Sequence, residues 1–435
     1  MMSTELPGAR RGAESRRGAG HDQDVVSYVN HAILEAGARD LPEARTLPPA
    51  AYFDAAYYEW ELEHVLKPEW TCIAHVSQLP NPGDYLAFDL FGESLVVVRG
   101  KDGHINTLSR VCQHRGMDIM PQGLGYAERG NTRLFMCPYH SWTYELDGTL
   151  KGTPEMQKTA SFCRSDYPLP KYRTEVWEGF VFVTFNANAE PVALQYADWQ
   201  AQIAPWKAGE MELVAEMEWD LAFNWKNMIE NWMEPYHHMG IHQKTLQPMM
   251  PARGCWTEDP HPHYTRAHLP YRDTLVKTLQ EAEAAGAKAD GFMPLRNLPD
   301  YGKYEWAVHV GFPTFMMATT PDRVIWYRLL PSGPESCQLK TCILVSKEAQ
   351  QHPTYAQDLE GEIQALTNFH KEDLVVCEAM QRGLHSSAFK QGQLSYLEAP
   401  VWCIHKYLAT RVQKAMEKEP HEVTQERPAP ELVTA

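Results

Sequence analysis

The chain has 435 residues, enough for two domains, and 44% of them are hydrophobic. Its formal net charge of −16 argues against a nucleic-acid partner, because phosphate contacts need clustered Lys and Arg. No apolar run is long enough to span a bilayer, so no membrane association is expected, and nine cysteines without disulfide-type spacing favour the cytoplasm.

The N-terminal segment is rich in Gly, Arg, Ser and Glu, a composition that cannot bury enough apolar surface to fold alone. We therefore predict a flexible extension over residues 1–48. A helix is predicted over residues 51–66, and it leads into strands separated by turn sequences at 81–84 and 101–104.

Two half-motifs that mix cysteine and histidine follow these strands. They are Cys112-Gln-His114 and Cys137-Pro-Tyr-His140. Two thiolates on one iron and two imidazoles on the other are the ligands of a Rieske [2Fe-2S] cluster. A zinc site is the alternative, but zinc sites usually pair cysteine with cysteine and histidine with histidine at close spacing. The mixed halves favour the cluster and predict a redox protein.

The β-run Trp177–Phe185 is predicted to close this first domain, which we assign to residues 49–190. After Pro205 the pattern changes to long helices and longer strands, at 212–223, 306–312 and 323–330. This second part is predicted as an α+β domain with helices on an antiparallel sheet, over residues 191–416. The tail, residues 417–435, is rich in Glu and Pro and is predicted to be flexible.

The segment 224–242 carries a second candidate metal site. Two histidines and a carboxylate on one face of an iron leave positions open for dioxygen and substrate. His237 and His242 are about 140° apart on an ideal helix, so they cannot share one helical face. Gly240 lies between them and can end the helix, which lets the chain turn back toward the same metal. Ordinary polar residues at a helix end are the alternative.

A third, carboxylate ligand is expected far downstream, on a helix predicted over residues 369–384. Helical spacing aligns Asp373 with the apolar stripe that contains Cys377, whereas Glu372 falls on the polar side. A carboxylate on an apolar stripe is costly unless something binds it, and a metal is such a partner. We therefore favour Asp373 over Glu372. A buried Asp bound by backbone donors at a helix start is the alternative.

A di-iron bundle is a competing interpretation of the same residues. Glu234-x-x-His237 and Glu61-x-x-His64 both have the spacing used by such bundles. A bundle requires four long helices and two further glutamates, and Pro235 is unsuited to the interior of a bundle helix. We therefore disfavour the di-iron site.

The two half-motifs, followed by N-W-K-x3-E-N-x2-E-x-Y-H-x4-H at residues 224–242, resemble the α (terminal oxygenase) subunits of the Rieske non-haem iron oxygenases, the aromatic-ring-hydroxylating family. This resemblance covers most of the chain. It implies a small all-β Rieske domain and a helix-grip (START-like) catalytic domain built on an antiparallel sheet. The stretch between the half-motifs is longer than is typical of that family, and we expect the extra residues in a turn near 123–130.

The resemblance also implies roles for individual residues. The cluster ligands would be Cys112, His114, Cys137 and His140, the iron ligands His237, His242 and Asp373, and the catalytic residues Asn231 and Glu234. His238 is expected to be structural. Glu234 would bridge two protomers by hydrogen bonds to His140 across the interface and to His237 on its own side.

By the same resemblance, a separate reductase, with or without a ferredoxin, would pass electrons from NAD(P)H through the cluster to a mononuclear Fe(II) that activates O2. Family members are homotrimers, with or without a β subunit. A pure electron carrier that needs only the cluster, and a domain that merely binds an apolar ligand, are the other function classes.

The substrate is less defined by the sequence. Ring-dihydroxylating members usually carry Asp at the bridging position. The longer side chain of Glu234 resembles the residue at this position in monooxygenases that act on carnitine and glycine betaine. Those often show Cys-Tyr-His after the Glu, whereas Pro235 precedes Tyr236 here. We expect a small aromatic or heteroaromatic compound that is hydroxylated or dealkylated, with a quaternary ammonium compound as the alternative.

Overall fold

The structure is a computed structural model that describes residues 19–285, 288 and 291–422. The predicted flexibility of residues 1–18 and 423–435 falls outside these residues. No helix in the described ranges is both long and apolar enough to cross a membrane.

The helices are numbered along the chain. They are α1 (Ala19–Ala38), α2 (Ala55–Glu61), α3 (Val192–Gln195), α4 (Ala197–Ile203), α5 (Trp225–Met233), α6 (Asp273–Ala284), α7 (Asp300–Lys303), α8 (Tyr355–Leu384) and α9 (Ala399–Glu422). Because α9 continues to Glu422, the predicted flexible tail is wrong for residues 417–422.

The strands of the first domain form two antiparallel sheets. They are β1 (Thr71–His75), β2 (Asp84–Leu90), β3 (Glu93–Arg99), β4 (Ile105–Ser109), β5 (Arg129–Asn131), β6 (Phe135–Met136), β7 (Thr143–Tyr144), β8 (Leu150–Gly152), β9 (Lys171–Trp177) and β10 (Phe180–Thr184). The larger sheet has the order β1-β10-β9-β4-β3-β2-β5, and β6-β7-β8 form the smaller one. The small all-β domain is therefore confirmed.

Two local features differ from the predictions for this domain. The run 177–185 is a hairpin rather than one strand, because Glu178 and Gly179 both have positive φ, 48° and 85°, and reverse the chain between β9 and β10. The extra residues near 123–130 include part of β5, which pairs with β2 and forms the edge of the larger sheet.

The second domain is built on one seven-stranded antiparallel sheet. Its strands are β11 (Glu212–Leu221), β12 (Trp256–Thr257), β13 (Tyr264–Pro270), β14 (Glu305–Gly311), β15 (Phe315–Thr319), β16 (Val324–Gly333) and β17 (Ser336–Val345), in the order β11-β17-β16-β15-β14-β13-β12. Alternate residues of a strand point to opposite faces. Ile325 packs in the core with Leu366 of α8, whereas Trp326 packs with Phe180 of the first domain. The predicted α+β fold is confirmed, with the sheet between α8 and the small domain.

The N-terminal segment is not a flexible extension where the structure describes it. Helix α1 lies along α9, with Val29 and Ile33 fully buried. A β-carbon at Gly37 would come within 2.3 Å of Ala409 Cβ, so the two helices approach closely there. The prediction for residues 19–48 is wrong, because composition cannot reveal a packing partner that lies hundreds of residues downstream.

Helix α2 also belongs spatially to the second domain rather than to the first. Glu61 and Lys226 form a fully buried ion pair with Nζ and Oε1 2.7 Å apart. The indole of Trp225 donates a second hydrogen bond to Glu61 over 2.9 Å. The predicted boundary at residue 49 therefore does not describe the packing, since α1 and α2 lie against α5 and α9 and the small domain begins near β1.

Candidate cluster and iron sites

The two half-motifs are carried by matching turns at one end of the small domain. Gly116 N donates to Cys112 O over 3.0 Å, and Ser141 N donates to Cys137 O over 3.0 Å. Gly116 and Ser141 both have positive φ, 73° and 58°, which reverses the chain just after each histidine. The local sequence therefore folds each half into the same tight loop.

The four expected cluster donors converge. The thiols of Cys112 and Cys137 are each on residues 1% exposed, whereas His140 is exposed at the rim of the domain. His114 Nδ1 and His140 Nδ1 lie 3.1 Å apart. Two thiols on the inside and two convergent imidazole nitrogens on the outside fit a Rieske [2Fe-2S] cluster. With Nδ1 bound to the cluster, each ring would present Nε2 to a further partner.

Aromatic side chains support this loop pair. The hydroxyl of Tyr144 lies 3.2 Å from Cys112 Sγ and accepts a hydrogen bond from Gln113 N over 3.1 Å, which leaves its own proton to donate to the thiolate. The ring of Trp142 stacks on His114 with centroids 4.7 Å apart. Tyr144 is not identifiable from the sequence, since a single Tyr in a short strand carries no distinctive signal.

The expected iron donors come from three different local structures. Helix α5 ends at Met233, and a 3-10 turn over Tyr236–Met239 carries His237. His242 follows in an irregular turn, and Asp373 lies inside α8. The ligand atoms of His237, His242 and Asp373 all lie within 4.8 Å of one another. The chain therefore brings together the three residues that the sequence favoured.

The orientation of the donors is well defined. His242 Nε2 lies 2.9 Å from Asp373 Oδ1, and His237 Nε2 lies 3.6 Å from the same oxygen. Burial alone would raise the pKa of Asp373, but the hydrogen bond and charge of His242 hold it below the usual value. Two imidazole nitrogens and one carboxylate converging on one side fit a facial triad, so this donor set can hold a mononuclear iron.

Carboxylates fix both imidazole rings from behind. His237 Nδ1 lies 2.8 Å from Glu234 Oε1, and His237 N donates to Glu234 Oε2 over 3.0 Å. His242 Nδ1 lies 2.7 Å from Glu372 Oε2, which also accepts from Thr245 Oγ1 over 2.8 Å. Such partners accept a hydrogen bond from Nδ1–H, which leaves the lone pair of Nε2 for the metal.

The remaining predicted residues have clear positions. Asn231 Nδ2 donates to Asp373 Oδ1 over 3.0 Å, so Asn231 orients the carboxylate. His238 is buried, and its Nδ1 lies 3.2 Å from Met250 O. Burial lowers the pKa of His238 to about 3. Within the described residues of one chain, no hydrogen bond joins Glu234 to His140.

Glu372 is a residue of the candidate site whose position the sequence does not predict. The sequence presents Glu372 only as an alternative ligand to Asp373. Its position about 100° around the helix from Asp373 puts its carboxylate beside the ring of a loop histidine instead. A signal did exist, because an adjacent Glu-Asp pair on a ligand helix can place one carboxylate on the metal and the other on a ligand.

Two family models match the chain. The Rieske [2Fe-2S] domain matches residues 69–172, and the catalytic domain of the ring hydroxylating alpha subunit matches residues 208–414.

Two relatives agree with these matches. The carnitine monooxygenase oxygenase subunit of Escherichia coli (strain K12) is 35% identical over 197 residues, which are 45% of this chain and 51% of that subunit. The alignment thus spans about half the length of that relative. The glycine betaine monooxygenase oxygenase subunit of Chromohalobacter salexigens is 26% identical over 376 residues, 80% of this chain and 82% of that subunit.

A solved structure shares the fold over most of its length. It is that of a quaternary ammonium Rieske monooxygenase, with 24% sequence identity and a TM-score of 0.74, covering 87% of this chain and 98% of that chain. The chain therefore belongs to the Rieske non-haem iron oxygenase α subunits, with the Rieske [2Fe-2S] domain and the ring-hydroxylating catalytic domain in one polypeptide.

Proposed function

We propose that the chain is a terminal oxygenase component that uses electrons from a reductase, with or without a ferredoxin, to insert oxygen from O2 into a small organic substrate. The observation that carries this proposal is the presence, in one chain, of a four-donor cluster site and a separate three-donor iron site. A pure electron carrier would need only the first of these. When bound, the cluster supplies one-electron transfer and the iron supplies O2 activation.

In this proposal the protein's own residues hold and orient the two centres. Cys112, His114, Cys137 and His140 hold the cluster, and His237, His242 and Asp373 hold the iron. Glu234 and Glu372 keep the two iron imidazoles in the tautomer that presents Nε2. Asn231 fixes the rotation of the third ligand. Each donor thus meets the metal already oriented, which lowers the cost of binding it.

We further propose a homotrimer, with or without a β subunit, in which one protomer's cluster serves the next protomer's iron. The proposal is supported by exposed side chains at both ends of the proposed electron transfer, beside the cluster site and beside the iron site. His140 is exposed beside Tyr139, which is 54% exposed, and Tyr236, close to Glu234, is 47% exposed. Both carboxylate oxygens of Glu234 bind His237, Oε1 through the ring and Oε2 through the backbone N–H. Because a carboxylate oxygen can accept more than one hydrogen bond, Oε2 can also accept one from His140 of another copy.

For the substrate, we propose a quaternary ammonium compound ahead of an aromatic one. The longer Glu234 and the names of the relatives, which act on carnitine and glycine betaine, support this order. The ring of Trp232, which follows Asn231 in sequence, lies 4.9 Å from the ring of Tyr327, and Tyr327 is close enough to Asp373 to sense its charge. Aromatic faces of this kind attract a desolvated cation.

The decisive experiment is a substrate screen of the purified protein with a reductase and NADH. Carnitine, glycine betaine and choline form one arm, and aromatic and heteroaromatic compounds form the other. We expect substrate-dependent O2 uptake and an oxygenated product that carries 18O from labelled O2 in the first arm. Products in the second arm alone would overturn the substrate class but not the oxygenase.

The control is His237→Ala. It should keep the visible spectrum of the cluster and lose O2 uptake and product. Unchanged uptake in this variant would contradict the oxygenase proposal and favour an electron carrier. Zinc without acid-labile sulfide in the purified protein would overturn both metal assignments.

A further inference from the structure

A tyrosine and a histidine form a buried pair beside the iron site. Tyr327 on β16 is 1% exposed, and His370 on α8 is fully buried. The Tyr327 hydroxyl lies 3.2 Å from His370 Nε2. His370 precedes Asp373 by one helical turn, a spacing at which side chains are neighbours about 5 to 6 Å apart. The pair therefore lies directly behind an iron donor.

The direction of the hydrogen bond in this pair follows from the tautomer of His370. When the ring proton is on Nδ1, Nε2 has a lone pair and accepts the O–H of Tyr327. Burial lowers the pKa of His370 to about 4, which keeps the imidazole neutral and able to accept a proton. Burial also raises the pKa of Tyr327, so the phenol keeps its proton at rest. A hydrogen-bonded phenol and base is the arrangement from which an electron and a proton can leave together.

A third aromatic ring connects this pair to the surface. The ring of Trp219, on the edge strand β11, lies 6.0 Å from His370. Trp219 is only partly buried and lines a cleft of about 640 Å³ between the two domains. Oxidisable side chains thus extend from the iron site to a solvent-facing cleft, with the imidazole between them.

We propose that Tyr327, His370 and Trp219 form a discharge path that returns an oxidised iron centre to a lower oxidation state when no substrate consumes its oxidising power. This inference rests on the proposed function, since the oxidant is the iron centre after it has reacted with O2. The path would protect the site, because without it the side chains nearest to the oxidised iron, which are the iron's own ligands, would be oxidised.

Each step balances. The O–H bond of Tyr327 would break, with one electron passing to the oxidised iron that His237, His242 and Asp373 would hold and the proton moving to His370 Nε2. The products are a neutral phenoxyl radical and an imidazolium. An electron from Trp219 and the proton from His370 then restore the phenol. A soluble one-electron donor such as ascorbate re-reduces Trp219 in the cleft, so the net change is one electron from the donor to the iron.

The test is freeze-quench electron paramagnetic resonance on iron-loaded protein mixed with hydrogen peroxide in the absence of substrate. We expect an organic radical whose signal narrows when the protein carries ring-deuterated tyrosine. Tyr327→Phe should lose this signal. Tyr196→Phe, which removes another fully buried phenol with no histidine partner, should keep it. Trp219→Phe should prolong the radical several-fold when ascorbate is present.

A second readout follows covalent damage. After uncoupled O2 consumption, mass spectrometry of Tyr327→Phe should show several-fold more oxidised His237 and Trp232 than the parent protein. An unchanged radical in Tyr327→Phe, or no radical in the parent protein, would overturn the discharge path. Failure of the proposed function is distinguishable, because a protein that holds no iron and consumes no O2 with a reductase would fail before either readout.

Discussion

The cluster site and the iron site use the same imidazole side chain in opposite ways. At the cluster, the two rings converge through Nδ1, and His140 is exposed. At the iron site, His237 and His242 converge on Asp373 through Nε2, and both Nδ1 atoms are held by carboxylates. The arrangement at the cluster site leaves one ring nitrogen of each histidine for an outside partner, whereas both ring nitrogens of His237 and His242 are engaged at the iron site. The difference suits a centre that passes electrons outward and a centre that must be enclosed.

The largest effect should come from removing one donor at either site. Asp373→Ala should abolish O2-dependent turnover and lower iron affinity by more than the roughly 100-fold seen for lost ligand partners. Cluster absorption should be unchanged. Iron and sulfide analysis with visible spectra measures both.

Cys137→Ala is the reverse control. It should lose the cluster and keep the iron site. Loss of both centres in either variant would show that the two sites are not independent.

The buried ion pair at the start of α5 should have the next largest effect. Lys226→Met leaves Glu61 buried without its cation, and removal of one partner of a buried pair costs about 3 to 5 kcal/mol. Urea unfolding followed by tryptophan fluorescence measures the loss. We expect the unfolding transition of the catalytic domain to move to a lower urea concentration. The cluster spectrum should persist to higher urea concentrations.

The double variant Glu61→Gln with Lys226→Met is the matched control. It should recover much of the stability, since the unpaired charge is gone. A double variant as unstable as the single one would show that the Lys226 stem, rather than its charge, supports α5.

The carboxylate behind His242 should have a smaller effect that is specific to the metal. Glu372→Ala should weaken iron binding by about 10- to 100-fold, and Glu372→Gln, which keeps an acceptor, should weaken it less. Glu378→Gln, on an exposed part of the same helix, is the control. Equal iron affinity in all three variants, measured by competition with a chelator, would remove Glu372 from the site.

The smallest effect is expected at the cluster. The Tyr144 hydroxyl donates to Cys112, and a hydrogen bond to a ligand sulfur stabilises the reduced cluster. Removing it in Tyr144→Phe should lower the reduction potential by roughly 20 to 70 mV, the equivalent of about 0.5 to 1.5 kcal/mol for one electron. Protein-film voltammetry measures the shift, and an unchanged potential would mean that the hydroxyl serves Gln113 alone.

The candidate ligand residues could be proposed from the sequence because their chemistry depends on local spacing. Cys112 to His114 and Cys137 to His140 lie within single turns, and His237 and His242 lie on either side of a glycine. Asp373 was predictable from the apolar stripe around it. The role of Glu372 was not, because it depends on where a distant loop places His242. The packing of α1 could not be predicted for the same reason, because its apolar face is buried against α9, which lies far downstream in the chain.

Contact between α1 and α9 ties together two ends of the chain that are made at very different times. About 380 residues separate Ala19 from Ala399. At synthesis rates of 5 to 20 residues per second, α1 waits roughly 20 to 80 s on the ribosome before its partner exists. The small domain, encoded between them, can fold in that interval. We therefore expect the small domain to fold first and the contact between α1 and α9 to form last, with the apolar face of α1 exposed during translation.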